Sequence, residues 1–165
     1  MKIERERKFL VPGTFPESDD VSEIRQGFLS TDPARVVRVR RQDEEAFLTI
    51  KGKSEGAARL ELEYPIPVED ADVLLGLCVG TAIEKRRYRV RHSGAVWEVD
   101  VFFGANTGLT VAEIEIDDPE ELDRAVADKP AWVGREVTAD GRFANAALAD
   151  RPLSTWPAEE QDALY

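Results

Sequence analysis

The chain has 165 residues, enough for one domain, and its 42% hydrophobic content can supply a core. Its 33 Asp/Glu outnumber 22 Lys/Arg for a net charge of −11, so most of the surface repels a phosphate backbone and nucleic acid is excluded as a partner. A single cysteine, Cys78, excludes an internal disulfide and a thiolate metal site. The start of the chain has no basic segment followed by an apolar one, and nowhere do 18 apolar residues run together. A soluble cytoplasmic protein without membrane contact, monomeric or homodimeric, is therefore expected.

In chain order, residues 3–9 read as a strand, and Pro12-Gly13-Thr14-Phe15-Pro16 breaks it. A second strand is predicted over 23–31, ended by Pro33. Residues 36–42 and 46–53 form a predicted hairpin about Asp43-Glu44-Glu45, and 58–66 follow the turn at Ser54-Glu55-Gly56. Val68, Ala71, Leu74, Leu75 and Cys78 give helical spacing over 68–78, with Gly80 as the stop and Cys78 as a small core residue. Strands resume at 81–92, 95–103 and 109–117. A helix opens at Pro119, where proline fits the first turn, and Glu120 and Glu121 suit its positive end. Another helix is predicted from Asp140, a good N-cap, through Leu148, and 151–165 is read as a polar tail or flap, free to move. The expected division is a domain over 1–150 and a tail over 151–165.

Side chains alternate faces along a strand, so residues spaced by two share a face. Glu4, Glu6 and Lys8 share one, as do Arg38 and Arg40, Lys51 and Lys53, and Arg59, Glu61 and Glu63. So do Lys85, Arg87 and Arg89, and Glu113 and Glu115. With Asp100, these positions hold nine basic and seven acidic residues, a surplus of two cations in an acidic chain. Eight antiparallel strands can close on themselves and remove unpaired edges. The expected fold is a mainly β, closed eight-stranded antiparallel β-barrel tunnel with a charged interior and a few flanking helices. Its apolar strand faces (Val37 and Val39, Leu48 and Ile50, Leu60 and Leu62, Val99 and Val101, Ile114 and Ile116) would lie outward under those helices, and Tyr64 and Tyr88 share that parity. A wet, mutually paired interior makes so many buried charges tolerable. Surplus cations ask for a polyanion, and clustered carboxylates ask for hard divalent cations such as Mg²⁺ or Mn²⁺. Together they describe a small-molecule triphosphate.

Glu4-x-Glu6-x-Lys8 resembles the ExExK signature of the CYTH superfamily, the triphosphate tunnel metalloenzymes. Further segments are similar and in the family's order: residues 23–30, Arg38-Val39-Arg40, Leu48 to Gly52, Glu61-x-Glu63, Lys85-x-Arg87-Tyr88, Glu98 to Phe102 and Ala112 to Glu115. Gly134 to Thr138 and Phe143-Ala144-Asn145-x-x-Leu148 resemble the C-terminal part of short bacterial members. The resemblance implies that Lys8, Arg38, Arg40, Lys51, Lys85 and Arg87 hold the phosphate chain, with Lys53, Arg59 and Arg89 sharing their parity. It implies Glu4, Glu6, Asp100, Glu113 and Glu115 as metal ligands, catalytic parts for Glu6, Glu61, Glu63 and Lys85, and a place for Arg135 at the tunnel mouth.

The activity so implied is metal-dependent hydrolysis of a terminal phosphoanhydride, foremost in inorganic tripolyphosphate. A CYTH-type adenylate cyclase or a thiamine or nucleoside triphosphatase would need a base-binding surface, for which Phe28, Trp97 and Trp132 are candidates. A non-catalytic polyphosphate-binding module is the alternative from another class. His92 is read as a turn residue.

Overall fold

The alternation predicted from the sequence is realised in a computed structural model that describes residues Lys2–Tyr165. Eight strands, β1 (Lys2–Leu10), β2 (Val21–Ser30), β3 (Arg35–Gln42), β4 (Glu45–Glu55), β5 (Ala58–Pro65), β6 (Val79–His92), β7 (Ala95–Phe102) and β8 (Thr110–Glu115), close into one barrel. The order around it is β1-β5-β4-β3-β2-β6-β7-β8, with every neighbouring pair antiparallel. Ser93 and Gly94 between β6 and β7 both take positive φ, which a two-residue hairpin turn matching strand twist requires.

Closure puts one face of each strand in the lumen, and its chemistry changes along the barrel. On β1 the inward series Glu4, Glu6, Lys8 continues to Leu10. On β3 Arg40 and Arg38 give way to Val36, on β6 Arg87 and Lys85 to Ile83, on β7 Asp100 to Phe102, and on β8 Glu113 to Val111. These apolar residues and Phe28 of β2 are buried in one cluster with Val137, Phe143, Leu148, Leu153, Trp156 and Leu164. The segment after β8 thus plugs one end of the barrel. Residues 134–138 run along the end of β1, where Gly134 N donates to Leu10 O, Leu10 N to Arg135 O and Val137 N to Lys8 O.

Four helices complete the fold: α1 (Val68–Leu75), α2 (Pro119–Ala127), α3 (Asn145–Asp150) and α4 (Ala158–Asp162). Outside the barrel, α2 covers Phe9, Trp97, Val99 and Ile114 through Leu122, and its N-cap Asp118 accepts from Glu121 N. α1 covers Val39 and Ala46 through Ala71. It stops at Gly76, earlier than predicted, because β6 already begins at Val79. Cys78 lies beyond the helix, half-buried against the small outward Gly27. The helix predicted from Asp140 is split into a 3-10 turn over 141–143, which Asp140 does cap, and α3, because Ala144 is extended.

Two further expectations are corrected. Residues 151–165 are not a polar tail, since Leu153, Trp156 and Leu164 are buried and Trp156 packs edge-on to Phe143 at 5.5 Å. Their wide spacing gives no helix or strand period, so the sequence pattern hid them. The apolar outer face is also only partly covered: Ile3 of β1, Ile50 of β4 and Leu60 and Tyr64 of β5 are exposed, Tyr64 to 50%. Tyr88, by contrast, packs on Phe15. Among the described residues no helix is long and apolar enough to cross a membrane.

Candidate active site

The charged half of the lumen is a cavity of about 310 Å³. Nine Lys/Arg and seven Glu line it, which matches the predicted surplus with two exchanges: Lys2 replaces Lys53, and Glu98 replaces Asp100. Lys53 leaves because β4 bulges. Lys51 faces Glu61 but Ser54 faces Arg59, so β4 carries one extra residue there and alternation inverts beyond it, leaving Lys53 exposed. Asp100 keeps its parity but is 0% exposed and lies behind the lining, with Arg87 Nε at 2.7 Å on one oxygen and Lys85 Nζ at 2.6 Å on the other. Arg135 lies away from the lumen and donates to Leu164 O. Lys2 and Glu98 were legible in principle, since each shares parity with named residues on its own strand.

Charges in the lumen are matched in a network. Lys51 Nζ binds both Glu4 oxygens at 2.8 Å and lies 3.4 Å from Glu61. Lys8 and Arg87 both hold Glu113, at 3.2 and 3.3 Å, and Arg87 also pairs with Glu98. Arg38 and Thr49 share one oxygen of Glu63. Arg89 binds Asp20 and Ser22, and Arg59 donates to the carbonyls of Gly52 and Pro33. Two cations are incompletely served. Among the described residues, Arg38 Nε is buried without a partner, and Arg40 has only Gln26 Oε1, at 2.8 Å from its Nε.

These surroundings shift the ionisation of several groups. Burial, with Arg38 and Arg87 nearby, lowers Arg40 to about 9. Burial lowers Lys85 to about 7, Arg87 adding to it while Asp100 opposes. Burial alone would raise Glu113, but Lys8 and Arg87 hold it well below the usual carboxylate range. Glu6 moves the other way, to about 7, through burial first and then Glu113.

Among the described residues no three His, Cys, Asp or Glu side chains stand close enough to hold a metal ion, because cations occupy the carboxylates. The donor set nevertheless fits a hard divalent ion. It is all oxygen, the strand register sets Glu6 opposite Glu115 and Glu98 opposite Glu113, and Glu6 is a half-buried carboxyl beside another carboxylate, its pKa raised despite the nearby lysines.

Sequence reasoning missed Gln26 and Asn145. Gln26 is fully buried, its Nε2 donates to Asn145 Oδ1 at 2.7 Å, and the same oxygen accepts from Lys85 Nζ at 3.0 Å. Parity places Gln26 in the lumen, but an uncharged residue gave no signal. Nothing local in the sequence says that the start of α3 reaches the strands. Of the aromatic candidates for base binding, Phe28 lines the cavity but is 2% exposed and packed in the apolar cluster, Trp97 is fully buried, and Trp132 packs against Phe15 and Trp97.

Closed antiparallel strands around a lumen of interlocked Lys, Arg and Glu define a charged-tunnel β-barrel. The chain belongs to the CYTH domain family, whose model matches residues 2–142. It is 45% identical over 158 residues, spanning 94% of this chain and 99% of the relative, to an inorganic triphosphatase of Acetivibrio thermocellus. A second inorganic triphosphatase, from Nitrosomonas europaea, is 37% identical over 88% of this chain and 96% of its own length. The crystal structure of an inorganic triphosphatase aligns over 90% of this chain and 95% of that one, with a TM-score of 0.66 and 36% identity.

Proposed function

We propose that the protein hydrolyses inorganic triphosphate to diphosphate and phosphate in the barrel lumen, with Mg²⁺ or Mn²⁺ as the metal. The observation that carries this reading is the uncompensated positive charge of the lumen, where among the described residues Arg40 has no carboxylate and Arg38, though paired with Glu63, has its Nε free to donate. A buried cation without a counter-ion is costly, and a polyanion threading the lumen supplies the missing charge. Both similar curated proteins are named inorganic triphosphatases.

Arg38, Arg40, Lys8 and Arg87 would neutralise the phosphate chain and the charge that develops on the transferring group, with Arg59, Arg89 and Lys51 flanking them. Lys85, brought to about 7, can release a proton from Nζ to the departing phosphate oxygen near neutral pH. Glu61 and Glu63 orient Lys51 and Arg38. Glu4, Glu6, Glu113 and Glu115 would hold the metal, which when bound supplies Lewis-acid neutralisation of phosphate oxygens. Asp100, with each oxygen already engaged, fits the orientation of Lys85 and Arg87 better than ligation.

The test is phosphate release and cyclic nucleotide formation from tripolyphosphate, ATP and thiamine triphosphate, each with Mg²⁺, Mn²⁺ or chelator. Tripolyphosphate should turn over fastest, and chelator should abolish turnover. Cyclic AMP as the main product from ATP would move the assignment to a cyclase, and undiminished turnover in excess chelator would remove the metal from it.

A further inference from the structure

Most lumen cations are paired with a carboxylate, and a carboxylate both orients its partner and cancels its charge. Arg40 is held differently. Its Nε donates to Gln26 Oε1 at 2.8 Å, and its other guanidinium nitrogens make no hydrogen bond or ion pair among the described residues while the side chain lines the cavity. Gln26 is itself fixed, being fully buried with its Nε2 donating to Asn145 Oδ1. That oxygen also accepts from Lys85 Nζ, whose one carboxylate, Asp100, is gripped on both oxygens by Arg87. Two neutral amides from distant parts of the chain, β2 and the first residue of α3, therefore bridge two cations. Asn145 lies beyond the residues that the family model matches.

A neutral oxygen can fix the direction of a cation without neutralising it. Hydrogen bonds to charged groups are the stronger kind, so an amide suffices to hold an arginine in one rotamer. The full charge is then left for a ligand, at the cost of burying it unbalanced in the empty barrel. The low proton affinity of Arg40, set by burial and by Arg38 and Arg87, agrees with a charge the protein itself leaves uncompensated.

We propose that Gln26 and Asn145 are positioning residues: an amide bridge, braced on Lys85, that aims Arg40 into the lumen while leaving its charge available to the polyanion. The inference rests on the tripolyphosphate reading. Isosteric charge changes separate it from a bridge that merely packs α3 onto the barrel, because Asn145→Asp keeps the acceptor oxygen and every bond of the bridge, Gln26→Glu keeps the oxygen on Arg40 and gives up only the Nε2 donor to Asn145, and both would neutralise the cations. Each variant should raise the KM for tripolyphosphate tenfold or more with a smaller change in kcat. Each should also shrink the melting shift that tripolyphosphate induces in chelator, while the ligand-free melting temperature stays level or rises.

Wild-type KM and wild-type shift in both variants would overturn the proposal. So would a loss of affinity accompanied by a fall in ligand-free melting temperature, or failure of both variants to fold, since either assigns the bridge to packing. If the wild type itself shows neither turnover nor a shift with tripolyphosphate, the function reading fails and this inference with it. A wild type that responds beside variants that respond equally removes the amide bridge alone.

Discussion

The two halves of the barrel lumen are built on the same strand faces and obey opposite chemistry. Glu113 and Val111 are neighbours on one face of β8, as are Lys8 and Leu10 on β1, yet one member of each pair belongs to an ion network and the other to a core. The apolar half behaves as an ordinary interior, where each fully buried side chain contributes about 1.5–3 kcal/mol. The charged half works against folding, because desolvating ions costs more than imperfect pairing returns. Stability and ligand affinity are thus separated along the barrel axis, and each can be changed alone.

The largest expected effect comes from the charged half. Arg40→Ala should lower kcat/KM for tripolyphosphate about 1000-fold, the loss typical of a preorganised group that meets developing charge, while the ligand-free melting temperature holds or rises. A variant that unfolded instead would make Arg40 part of the core. Next comes Leu148→Ala in the apolar half. Its expected cost is about 2–5 kcal/mol of stability, read by denaturant unfolding, with the KM of the folded fraction unchanged. Equal loss of affinity and stability would show that the halves are not separable.

The smallest effect is a pH dependence in chelator. The Glu6 carboxyl has a folded-state pKa of about 7, above its ordinary value of 4.5, so the folded state binds more protons between them and loses stability as pH rises through that window. Glu6→Gln removes this penalty. Its stability advantage over wild type should be small at pH 4.5, grow to roughly 3 kcal/mol by pH 7 and level off above it. A constant advantage across the range would mean that Glu6 is not proton-linked. Lys85, lowered to about 7, acts in the opposite sense and favours the folded state as pH rises from 7 towards its ordinary value.

The same contrast explains what the sequence could convey. Strand alternation made the barrel and most of its lumen legible, because charges spaced by two share one strand face and closing the sheet turns that face inward. It failed where the period itself failed, at the bulge that turns Lys53 outward. It failed also where depth mattered more than direction, since parity cannot tell that Asp100 lies behind Lys85 and Arg87 while Glu98 reaches the cavity. Gln26 and Asn145 carry no charge, so although both fall in segments that resemble the family, neither reads as part of the site. The plug was invisible for a different reason: Leu153, Trp156 and Leu164 have no common period, and only the apolar ring inside the barrel accounts for their burial.

β1 closes the barrel, and its partners are far along the chain: residues 58–61 on one side and 111–115 on the other. Contacts so distant in sequence make closure entropically expensive and slow, and they come last in a chain growing from its first residue. The strand bearing Glu4, Glu6 and Lys8 therefore waits on the ribosome until nearly the whole barrel has been made. Until then its charges face water on an open sheet edge, where no pocket exists to gather phosphate. A chain that ends before β8 already carries Glu4, Glu6 and Lys8 but lacks Glu113 and Glu115, and it has no closed site.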